Sequence, residues 1–541
     1  MQRMTGGQAV ISALKAEGVE HVFGISGTHN TPLFDGAYGE PDIHVVTVRH
    51  EQGAAMMAAG YARASGRIAA CFVVPGPGLT NALTGMGMAY SESTPLLMFA
   101  GQNNLAQLGR EGEHFHELPN SLAVAGSLSG YAQRVSTPDA IPRAVREAMR
   151  AMRCRRPRPA YIEIPLDVQS GEAEIEVLAP EKFSRPAGDP AGIARAAAAL
   201  ASAKRPFIFA GGGVASAEAS QPLARVAELL GAPVVTSVFG RGVISDRHPL
   251  ALGDGWGRLN AYDELLAQAD IVLVVGSRID TVSDVNLGAR FPARMVQVDL
   301  DPLVVGQRRP VEVGIVGDAA AVLESMAEKL DDGKKRECWF DVAGFRQRKR
   351  ALMAERTGPV LQLIDELRAA LPDDTIFVND LTLVGYWMPL LLETYQPRTL
   401  IHAGTYGTLG YALPAAIGAK IACPKQPVVA ISGDGGFMFT LQELATAVAQ
   451  KLDLIVLLFN DNAFGAIRTY QDRVFRGRRI GSDLVNPDFV KLGEAFGINA
   501  ARVEPMQLGA TVRRALEDGG VWLIEIPFAP EGQATMVPWM P

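Results

Sequence analysis

The sequence predicts an α/β protein made of three doubly wound parallel-sheet domains. Short apolar runs rich in Val, Ile and Leu alternate with helical segments along most of the 541 residues, which is typical of parallel sheets covered by helices. Glycine and polar residues follow these runs, where open α/β sheets bind ligands. Composition changes near residues 171–190 and 331–337. We therefore expect domains at 1–170, 190–332 and 357–530, followed by a tail or lid at 531–541.

Composition and charge argue against several classes of function. The chain has 51 Lys and Arg against 58 Asp and Glu, a formal net charge of -7, and 48% hydrophobic residues. No broad basic surface is implied, so nucleic acid is not an expected partner. No apolar run is long enough to cross a membrane, and the four cysteines lie too far apart for a metal knuckle or a redox pair. We expect a cytoplasmic protein with no signal peptide and reduced thiols.

The first predicted domain has polar loops after its strands. The predicted strands are Val22–Ile25, Ile43–Val48, Cys71–Val74, Leu96–Ala100 and Tyr161–Ile164. The loop Ser26–Asn30 follows the first strand, Glu51 follows the second, and Gly76 follows the third. Each strand thus delivers polar residues at its carboxyl end, where open α/β sheets bind ligands.

The central predicted domain has the pattern of a nucleotide-binding fold. Its predicted strands Pro206–Ala210, Ile271–Val275 and Met295–Val298 lead into Gly211–Gly213, Gly276 and Asp299–Asp301. The segment GGGVAS is not a complete dinucleotide fingerprint, and glycines also end strands that bind nothing. A nucleotide site and an ordinary strand end therefore both stay open.

The third predicted domain holds the stretch with the clearest chemistry. In chain order its parts are the apolar run Val428–Ile431, the turn Gly433–Gly436, a helical pattern over Leu441–Val448, the apolar run Leu454–Phe459, and Asn460 with Asp461. Because neighbouring parallel strands end side by side, Asp434 and Asp461 can meet. Magnesium takes one or two carboxylates plus phosphate oxygens, and the turn offers backbone amides. The pattern predicts a magnesium-bridged diphosphate site, with an ordinary helix-capping Asp as the alternative.

This stretch resembles the cofactor motif of the thiamine diphosphate enzymes, which is Gly-Asp-Gly followed at this spacing by Asn-Asn. The matching residues are Gly433, Asp434, Gly435 and Asn460. Asp461 stands where the second Asn is usual. The resemblance implies that thiamine diphosphate and Mg2+ bind here. It also implies three metal ligands, which are the side chains of Asp434 and Asp461 and the backbone carbonyl of Ala463.

A second carboxylate, Glu51, stands at the start of a small-residue helix. On its own it could simply complement the helix dipole. The segments His50–Ala54 and Gly60–Arg63, however, resemble the His-Glu-Gln-Gly-Ala and Gly-Tyr-Ala-Arg motifs of the acetolactate synthase-like branch. The resemblance implies that Glu51 hydrogen-bonds the cofactor's pyrimidine nitrogen and favours its imino tautomer. It also implies a pyrimidine-binding, a central Rossmann-like and a diphosphate-binding domain.

Two further segments resemble the same enzymes. The first is the Gly-Thr-Leu-Gly motif at Gly407–Gly410. It implies that Gly407 offers its carbonyl to the cofactor's amino group and that Leu409 is the wedge beneath the folded cofactor. Alternatively, Leu409 could be an ordinary core residue. The segment Val74–Asn81 resembles Ser-Gly-Pro-Gly-Ala-Thr-Asn, with departures at Pro75 and Leu79. The resemblance places further cofactor contacts at Gly76, Asn81, Gly385, Gly436, Phe464 and Gly465.

The expected substrate pocket departs from that of acetolactate synthases. Those enzymes have Phe-Gln-Glu where this chain has Phe115–Glu117, and Pro-Gly-Gly-Ala where it has Ser26–His29. A histidine in the latter loop resembles benzaldehyde lyase. The residues expected to line the pocket are Thr28, His29, Phe115 and His116. An imidazole moves protons near neutral pH, so the two histidines are candidate catalytic acid and base, with ordinary core or surface histidines as the alternative.

Together the motifs predict a thiamine diphosphate- and Mg2+-dependent 2-oxo acid decarboxylase or carboligase of the acetolactate synthase-like type. The loop containing His29 favours an alternative, a carbon–carbon lyase acting on hydroxyketones or diketones. A cofactor-binding regulatory subunit is a second alternative, and the retention of Glu51 and Asp434 argues against it.

The resemblance also suggests ligands and partners. The segment GGGVAS and residues 275–291 resemble flavin contacts of acetolactate synthases, so FAD is a candidate second ligand despite the partial match. The expected small molecules are a 2-oxo acid and a carbonyl acceptor. Because family members share each site between two subunits, we expect at least a homodimer and, in full, a homotetramer.

Overall fold

Three six-stranded parallel sheets flanked by helices make up the computed structural model of the chain. The structure describes residues 1–110, 114–255, 260–280, 283, 290–334 and 336–530. A two-stranded antiparallel ribbon pairs β1 (Gln2–Thr5) with β8 (Glu172–Ile175). The predicted α/β class with three doubly wound parallel sheets is confirmed. The domain boundaries stay predictions, and the predicted tail or lid at 531–541 lies outside the described residues.

The first sheet holds the loops that the sequence singles out. Its strands are β2 (His21–Gly24), β3 (His44–Thr47), β4 (Ala70–Val73), β5 (Leu97–Gln102), β6 (Tyr131–Arg134) and β7 (Ala160–Pro165). Its helices are α1 (Gly6–Ala16), α2 (Thr31–Asp35), α3 (Glu51–Ser65), α4 (Pro77–Ser91), α5 (Ser121–Gly126), α6 (Ile141–Cys154) and α7 (Leu166–Ser170). The strand order is β3-β2-β4-β5-β7-β6. The order reverses between β2 and β4, so the loops after these strands border a crevice.

The central sheet has the strand order of dinucleotide-binding folds. Its strands are β9 (Pro206–Ala210), β10 (Val234–Thr236), β11 (Ala251–Asp254), β12 (Ile271–Val275), β13 (Arg294–Asp299) and β14 (Val313–Val316). The helices here are α8 (Pro190–Ala201), α9 (Gly212–Ser216), α10 (Ser220–Leu230), α11 (Asp263–Gln268) and α12 (Ala319–Leu330), and α13 (Val342–Ala370) leads to the next sheet. The order β11-β10-β9-β12-β13-β14 reverses between β9 and β12, the usual ligand position.

The third sheet repeats the connectivity of the first. Its strands are β15 (Ile376–Asn379), β16 (Leu400–His402), β17 (Val428–Gly433), β18 (Leu454–Asn460), β19 (Asn499–Arg502) and β20 (Val521–Pro527). Its helices are α14 (Leu383–Leu391), α15 (Ala412–Ala422), α16 (Asp434–Phe437), α17 (Leu444–Ala449), α18 (Gly465–Val474), α19 (Phe489–Ala495) and α20 (Leu508–Asp518). The order is β16-β15-β17-β18-β20-β19. Asp434 and Asp461 thus follow two neighbouring strands, β17 and β18.

The helical pattern predicted over Leu441–Val448 is present in the structure with a tighter first turn. A 3-10 turn covers Leu441–Glu443, and α17 continues from Leu444. Such turns are frequent at the N-terminal ends of α-helices. Just before this turn, the Thr440 hydroxyl donates a hydrogen bond to the Gly410 carbonyl at 2.8 Å.

The helices α3 and α15 join the first sheet to the third through a close backbone contact. A Cβ atom on Gly60 would lie 2.1 Å from the Ala415 carbonyl oxygen, and one on Gly418 would lie 1.9 Å from the Met57 carbonyl oxygen. Only glycine fits at such distances. Apolar residues of both helices and both sheets form one buried core around this contact.

The structure bears on the expectations for the cysteines and for membrane-spanning helices. All four cysteines are free thiols, with Cys71 buried and the others partly buried. In the described parts of the chain, no helix combines the length and the apolar character that a membrane span requires.

Replacing Gly418 by Ala should destabilise the contact between α3 and α15. Relieving the overlap with the Met57 carbonyl should cost on the order of 1–3 kcal/mol, and it should lower the midpoint of thermal unfolding measured by circular dichroism. The matched control is Gly509→Ala in α20, where the nearest atom would lie 3.6 Å from the new Cβ. The control change should be neutral or stabilising, because Ala favours helix over Gly. Equal midpoints for the two variants would contradict this account of the contact.

Candidate active site

Two carboxylates, one buried and one half-buried, converge at the carboxyl end of the third sheet. Asp434 is only 2% exposed, and burial raises its pKa above the usual value. Burial raises the pKa of Asp461 to about 6, and the nearby charge of Asp434 adds to this shift. The charge of Arg468 opposes it. Like charges held this close in a desolvated place favour the binding of a cation.

Asn486, which the sequence analysis missed, joins these acids. Its Nδ2 atom donates to Asp434 Oδ2 at 2.6 Å and lies 3.1 Å from Asn460 Oδ1 and 3.2 Å from Asn462 Oδ1. Three side-chain oxygens therefore converge on the Asn486 amide nitrogen, so these residues lie together after β17 and β18. Within the described ranges, no group of three His, Cys, Asp or Glu side chains could hold a metal. The two carboxylates and the amide oxygens here are the kind of ligands that Mg2+ prefers.

Two of the predicted cofactor glycines leave no room for a Cβ atom unless a neighbouring side chain moves. A Cβ atom on Gly435 would lie 2.6 Å from the Phe464 ring, and one on Gly465 would lie 2.4 Å from Asp461 Oδ2. The Phe464 amide donates to the Ser482 carbonyl at 2.9 Å, which fixes this loop. These glycines let the loop after β18 pack directly on the turn after β17.

Asp380, also missed from the sequence, fixes the loop that carries the predicted wedge. It is 1% exposed and accepts hydrogen bonds from the backbone amides of Leu381 and of Gly410–Ala412, while burial raises its pKa to about 6. In that loop Gly407 has a φ of 73°, and Leu409 is partly exposed rather than part of the core. Gly385 lies in α14, where a Cβ atom would meet the Asp380 carbonyl oxygen at 2.3 Å.

Glu51 is held at the carboxyl edge of the first sheet. Asn81 Nδ2 donates to Glu51 Oε2 at 3.0 Å, so these two predicted residues lie together. A third carboxylate, Glu443, is fully buried and accepts a hydrogen bond from the Arg49 amide at 3.2 Å. Glu443 also lies against Gly53, where a Cβ atom would come within 2.4 Å. This acid of the third sheet thus docks the start of the helix that carries Glu51.

The two candidate histidines lie beside each other at the same edge of the first sheet. The His29 and His116 ring centroids are 5.3 Å apart, and Phe115 stacks on His116 at 3.9 Å. Burial lowers the pKa of His29, while a hydrogen bond to Asn103 opposes the shift. His116 has a φ of 62°, and its carbonyl lies 2.6 Å from the Cβ position of Gly76. Of the predicted pocket residues, Thr28 is exposed.

The Glu51 group and the Asp434 group have different hydrogen-bond partners. Glu51 accepts a hydrogen bond from Asn81, and Asp434 accepts one from Asn486.

A cleft of about 1330 Å³, open to solvent, lies where the central sheet meets the other two. Its glycines Gly213 and Gly276 lie after β9 and β12, so close that a Cβ atom on Gly213 would reach 2.6 Å from the Gly276 Cα. Burial lowers the pKa of Arg156 to about 10 and also lowers that of Arg278. Neither arginine forms an ion pair with a described carboxylate, although Asp299 also lines the cleft.

Comparison with protein families gives three matches along the chain. The N-terminal TPP binding domain of thiamine pyrophosphate enzymes matches residues 4–124. The central domain of these enzymes matches residues 193–326, and their C-terminal TPP binding domain matches residues 380–526.

Curated relatives match nearly the whole chain. A protein of Pseudomonas aeruginosa named "Probable 2-ketoarginine decarboxylase" is 36% identical over 97% of this chain and 94% of its own length. A "Probable acetolactate synthase large subunit" of Methanocaldococcus jannaschii is 33% identical over 99% and 94%. The acetolactate synthase isozyme 3 large subunit of Escherichia coli is 31% identical over 96% and 93%.

Replacing Asp461 by Asn should raise the thermal midpoint of cation-free protein at about pH 8. The pKa of Asp461 is about 6 in the folded chain against about 3.9 in unfolded peptides. Its ionisation therefore opposes folding, fully so above about pH 6 and not at all below about pH 4. The gain should vanish at the lower pH.

The control is Asp472→Asn. A hydrogen bond from Arg479 lowers the pKa of Asp472, so removing this charge should bring no gain at about pH 8. An equal gain in both variants would mean that net charge, rather than the Asp434–Asp461 pair, sets the effect.

Proposed function

The chain belongs to the thiamine pyrophosphate enzymes, in their acetolactate synthase-like branch, and from this premise we propose that it is a Mg2+-dependent 2-oxo acid decarboxylase or carboligase. The carrying observation is that one chain holds both the acidic pair Asp434 and Asp461 and the Glu51–Asn81 pair. The name of the Pseudomonas aeruginosa relative specifies decarboxylation of 2-ketoarginine, which is a 2-oxo acid.

The third sheet would hold the charged end of the cofactor. Asp434, Asp461 and the Ala463 carbonyl would bind Mg2+, and the Gly433–Gly436 turn would accept the diphosphate. The variant Asp434→Asn tests this assignment. Mg2+ should raise the thermal midpoint of the wild type much more than that of Asp434→Asn, whereas Asp461→Asn, which restores the residue usual at this position, should keep the shift. A proton competes with the cation for Asp461, so Mg2+ affinity should fall below about pH 6.

The first sheet would supply the proton chemistry. When bound, thiamine diphosphate would supply a nucleophilic carbon and an electron sink for the decarboxylation of a 2-oxo acid. Glu51 would hold a proton against the pyrimidine nitrogen, and Asn81, bonded to Glu51 Oε2, would orient the carboxyl group. His29 and His116 would exchange protons with the substrate. Phe115, which is 66% exposed, would offer its ring to the substrate or to a neighbouring subunit.

A second subunit would complete each site. Large apolar side chains near the diphosphate motif are at least 42% exposed: Tyr406, Met438, Phe439, Ile467, Phe475 and Ile480. Burying such a surface would stabilise a homodimer, and a homotetramer would be built from two such dimers. Location in the cytoplasm stays a prediction from the sequence.

The central cleft supports a nucleotide as a second ligand. Arg156 and Arg278 are partly buried cations that form no ion pair with a described carboxylate, although Asp299 acts on both, and the pKa of each would rise towards its usual value beside a phosphate. The glycines after β9 and β12 allow a close approach of the ligand. FAD is the candidate that the sequence suggested, although residues 281–282 and 284–289 of its second flavin-like segment lie outside the described residues.

Protein purified without added nucleotide should release one nucleotide per chain on acid denaturation, identified by chromatography and by its absorption spectrum. Arg278→Ser should reduce that amount severalfold, whereas the exposed change Arg143→Ser should not, because Arg143 lies on α6 and pairs with Glu147. If neither bound nucleotide nor a thermal shift with FAD, NAD or ADP is found, the cleft is not a nucleotide site.

Glu51→Gln should bind thiamine diphosphate but lose on the order of 100-fold or more in turnover. Carbon dioxide release is measured from straight-chain, branched, aromatic and basic 2-oxo acids, with the cofactor and Mg2+ present. Cofactor binding is followed separately by thermal shift. Glu172→Gln, an exposed acid paired with Arg3, is the matched control and should retain full activity.

Near-normal turnover of Glu51→Gln would remove the proposed mechanism. No release from any acid by cofactor-loaded wild type would instead favour the carbon–carbon lyase, which His29 and His116 would also serve. Cleavage of hydroxyketones or diketones would then be the activity to measure.

A further inference from the structure

A chain of buried hydrogen bonds runs from His29 into the first sheet. His29 Nε2 lies 3.0 Å from Asn103 Oδ1. The backbone N–H of Asn103 donates to Gln102 Oε1 at 2.8 Å. Gln102 Nε2 donates to Ser121 Oγ at 3.0 Å, and Ser121 donates to Glu163 Oε2. Four of these five side chains are no more than 5% exposed, and His29 is 6% exposed.

The Glu163 end of this series of hydrogen bonds fixes the direction of every bond in the series. Glu163 accepts from Arg134 Nε at 2.5 Å and from the Tyr161 hydroxyl at 2.8 Å, so it acts as an acceptor throughout. Ser121 has one hydroxyl proton and gives it to Glu163, and therefore it must accept from Gln102. Gln102 then presents Nε2 to Ser121 and Oε1 to Asn103.

The Asn103 end of this series of hydrogen bonds determines which ring nitrogen of His29 carries a proton. Because Gln102 Oε1 accepts from the backbone amide of Asn103 and lies 3.5 Å from its Nδ2, Asn103 turns Oδ1 towards His29. An amide oxygen only accepts, so His29 Nε2 must donate. In the neutral ring the proton therefore sits on Nε2 and the lone pair on Nδ1. That Nδ1 atom is buried and has no hydrogen-bond partner in the described ranges of the chain.

The backbone of His29 is fixed as well. Gln169 Nε2 donates to the His29 carbonyl at 2.8 Å, and a Cβ atom on Gly101 would lie 1.8 Å from that carbonyl oxygen. The ring can therefore change its hydrogen bonds only by rotating about its own side-chain bonds. Of the described residues, His116 is the titratable side chain whose charge acts on His29.

We propose that Asn103 is a positioning residue that holds His29 as the Nε2-protonated tautomer, so that Nδ1 keeps the lone pair with which the ring can take up a proton. The hydrogen bonds that run from Gln102 through Ser121 to Glu163 set the orientation of the Asn103 side chain. This inference rests on the proposed function, in which His29 acts on the substrate.

The tautomer can be measured without any activity assay. Solid-state nitrogen NMR of wild-type protein labelled at histidine nitrogens distinguishes protonated from bare ring nitrogens, and the His29→Gln variant assigns the signals. Above the pKa of His29, we expect a protonated Nε2 and a bare Nδ1. A protonated Nδ1 would overturn the proposal.

The variant Asn103→Asp tests the positioning role through the pH profile. The new carboxylate accepts the same hydrogen bond but favours the imidazolium form, so the acid limb of kcat should move to higher pH by about one unit or more. Asn104→Asp places the same charge on the neighbouring exposed residue, which caps a 3-10 turn, and should leave the profile unchanged. Asn103→Leu should lower kcat more than it raises KM.

The outcomes separate this inference from the proposed function. A lower activity of Asn103→Asp at every pH, with no shift of the limb, would reduce Asn103 to a structural role and overturn the inference. Full activity of His29→Gln would instead remove His29 from the reaction and the inference with it, while the role of Glu51 would stand.

Discussion

The backbone contact between α3 and α15 is the constraint on which the two halves of the site depend. Because Gly60 and Gly418 each face a carbonyl oxygen of the other helix, the two helices lie closer than any side chain would allow. Glu51 begins α3, and the loop with Leu409 leads into α15. The contact therefore fixes the relative placement of the predicted proton donor and the predicted wedge, and Glu443 secures it by accepting from the Arg49 amide.

Buried carboxylates at strand ends are the recurring device of this fold. Asp380 satisfies its charge with the backbone amides of Gly410–Ala412 and so shapes a loop. Glu443 does the same for the segment before Glu51. Asp461 instead faces another acid, and its raised pKa shows that the described residues leave its charge poorly compensated. Burial of a charge is costly unless it is paired, so the feature that distinguishes the cation-binding candidate is the second acid beside it, Asp434.

Much of the site followed from the sequence because its geometry is local. Parallel strands end side by side, so Asp434 and Asp461 after β17 and β18 had to approach each other. The same reasoning placed His29, Glu51 and Gly76 on one edge of the first sheet. The motifs also identified Asn81, which the structure joins to Glu51. The helix predicted over Leu441–Val448 begins with a 3-10 turn at Leu441–Glu443, a detail of hydrogen bonding that periodicity does not reveal.

By itself the sequence determined the three-sheet α/β architecture, the family and the acidic residues that follow the strands. These features could be predicted because the spacing of apolar residues and the residues at strand ends depend on neighbours along the chain. Only the tertiary structure decided the partners of those residues. Asn486 reaches Asp434 across 52 positions, and Asn103 reaches His29 across 74. No local pattern marks an asparagine as the partner of a distant acid or imidazole, because its orientation is set by which buried donors and acceptors the packed sheets bring to it.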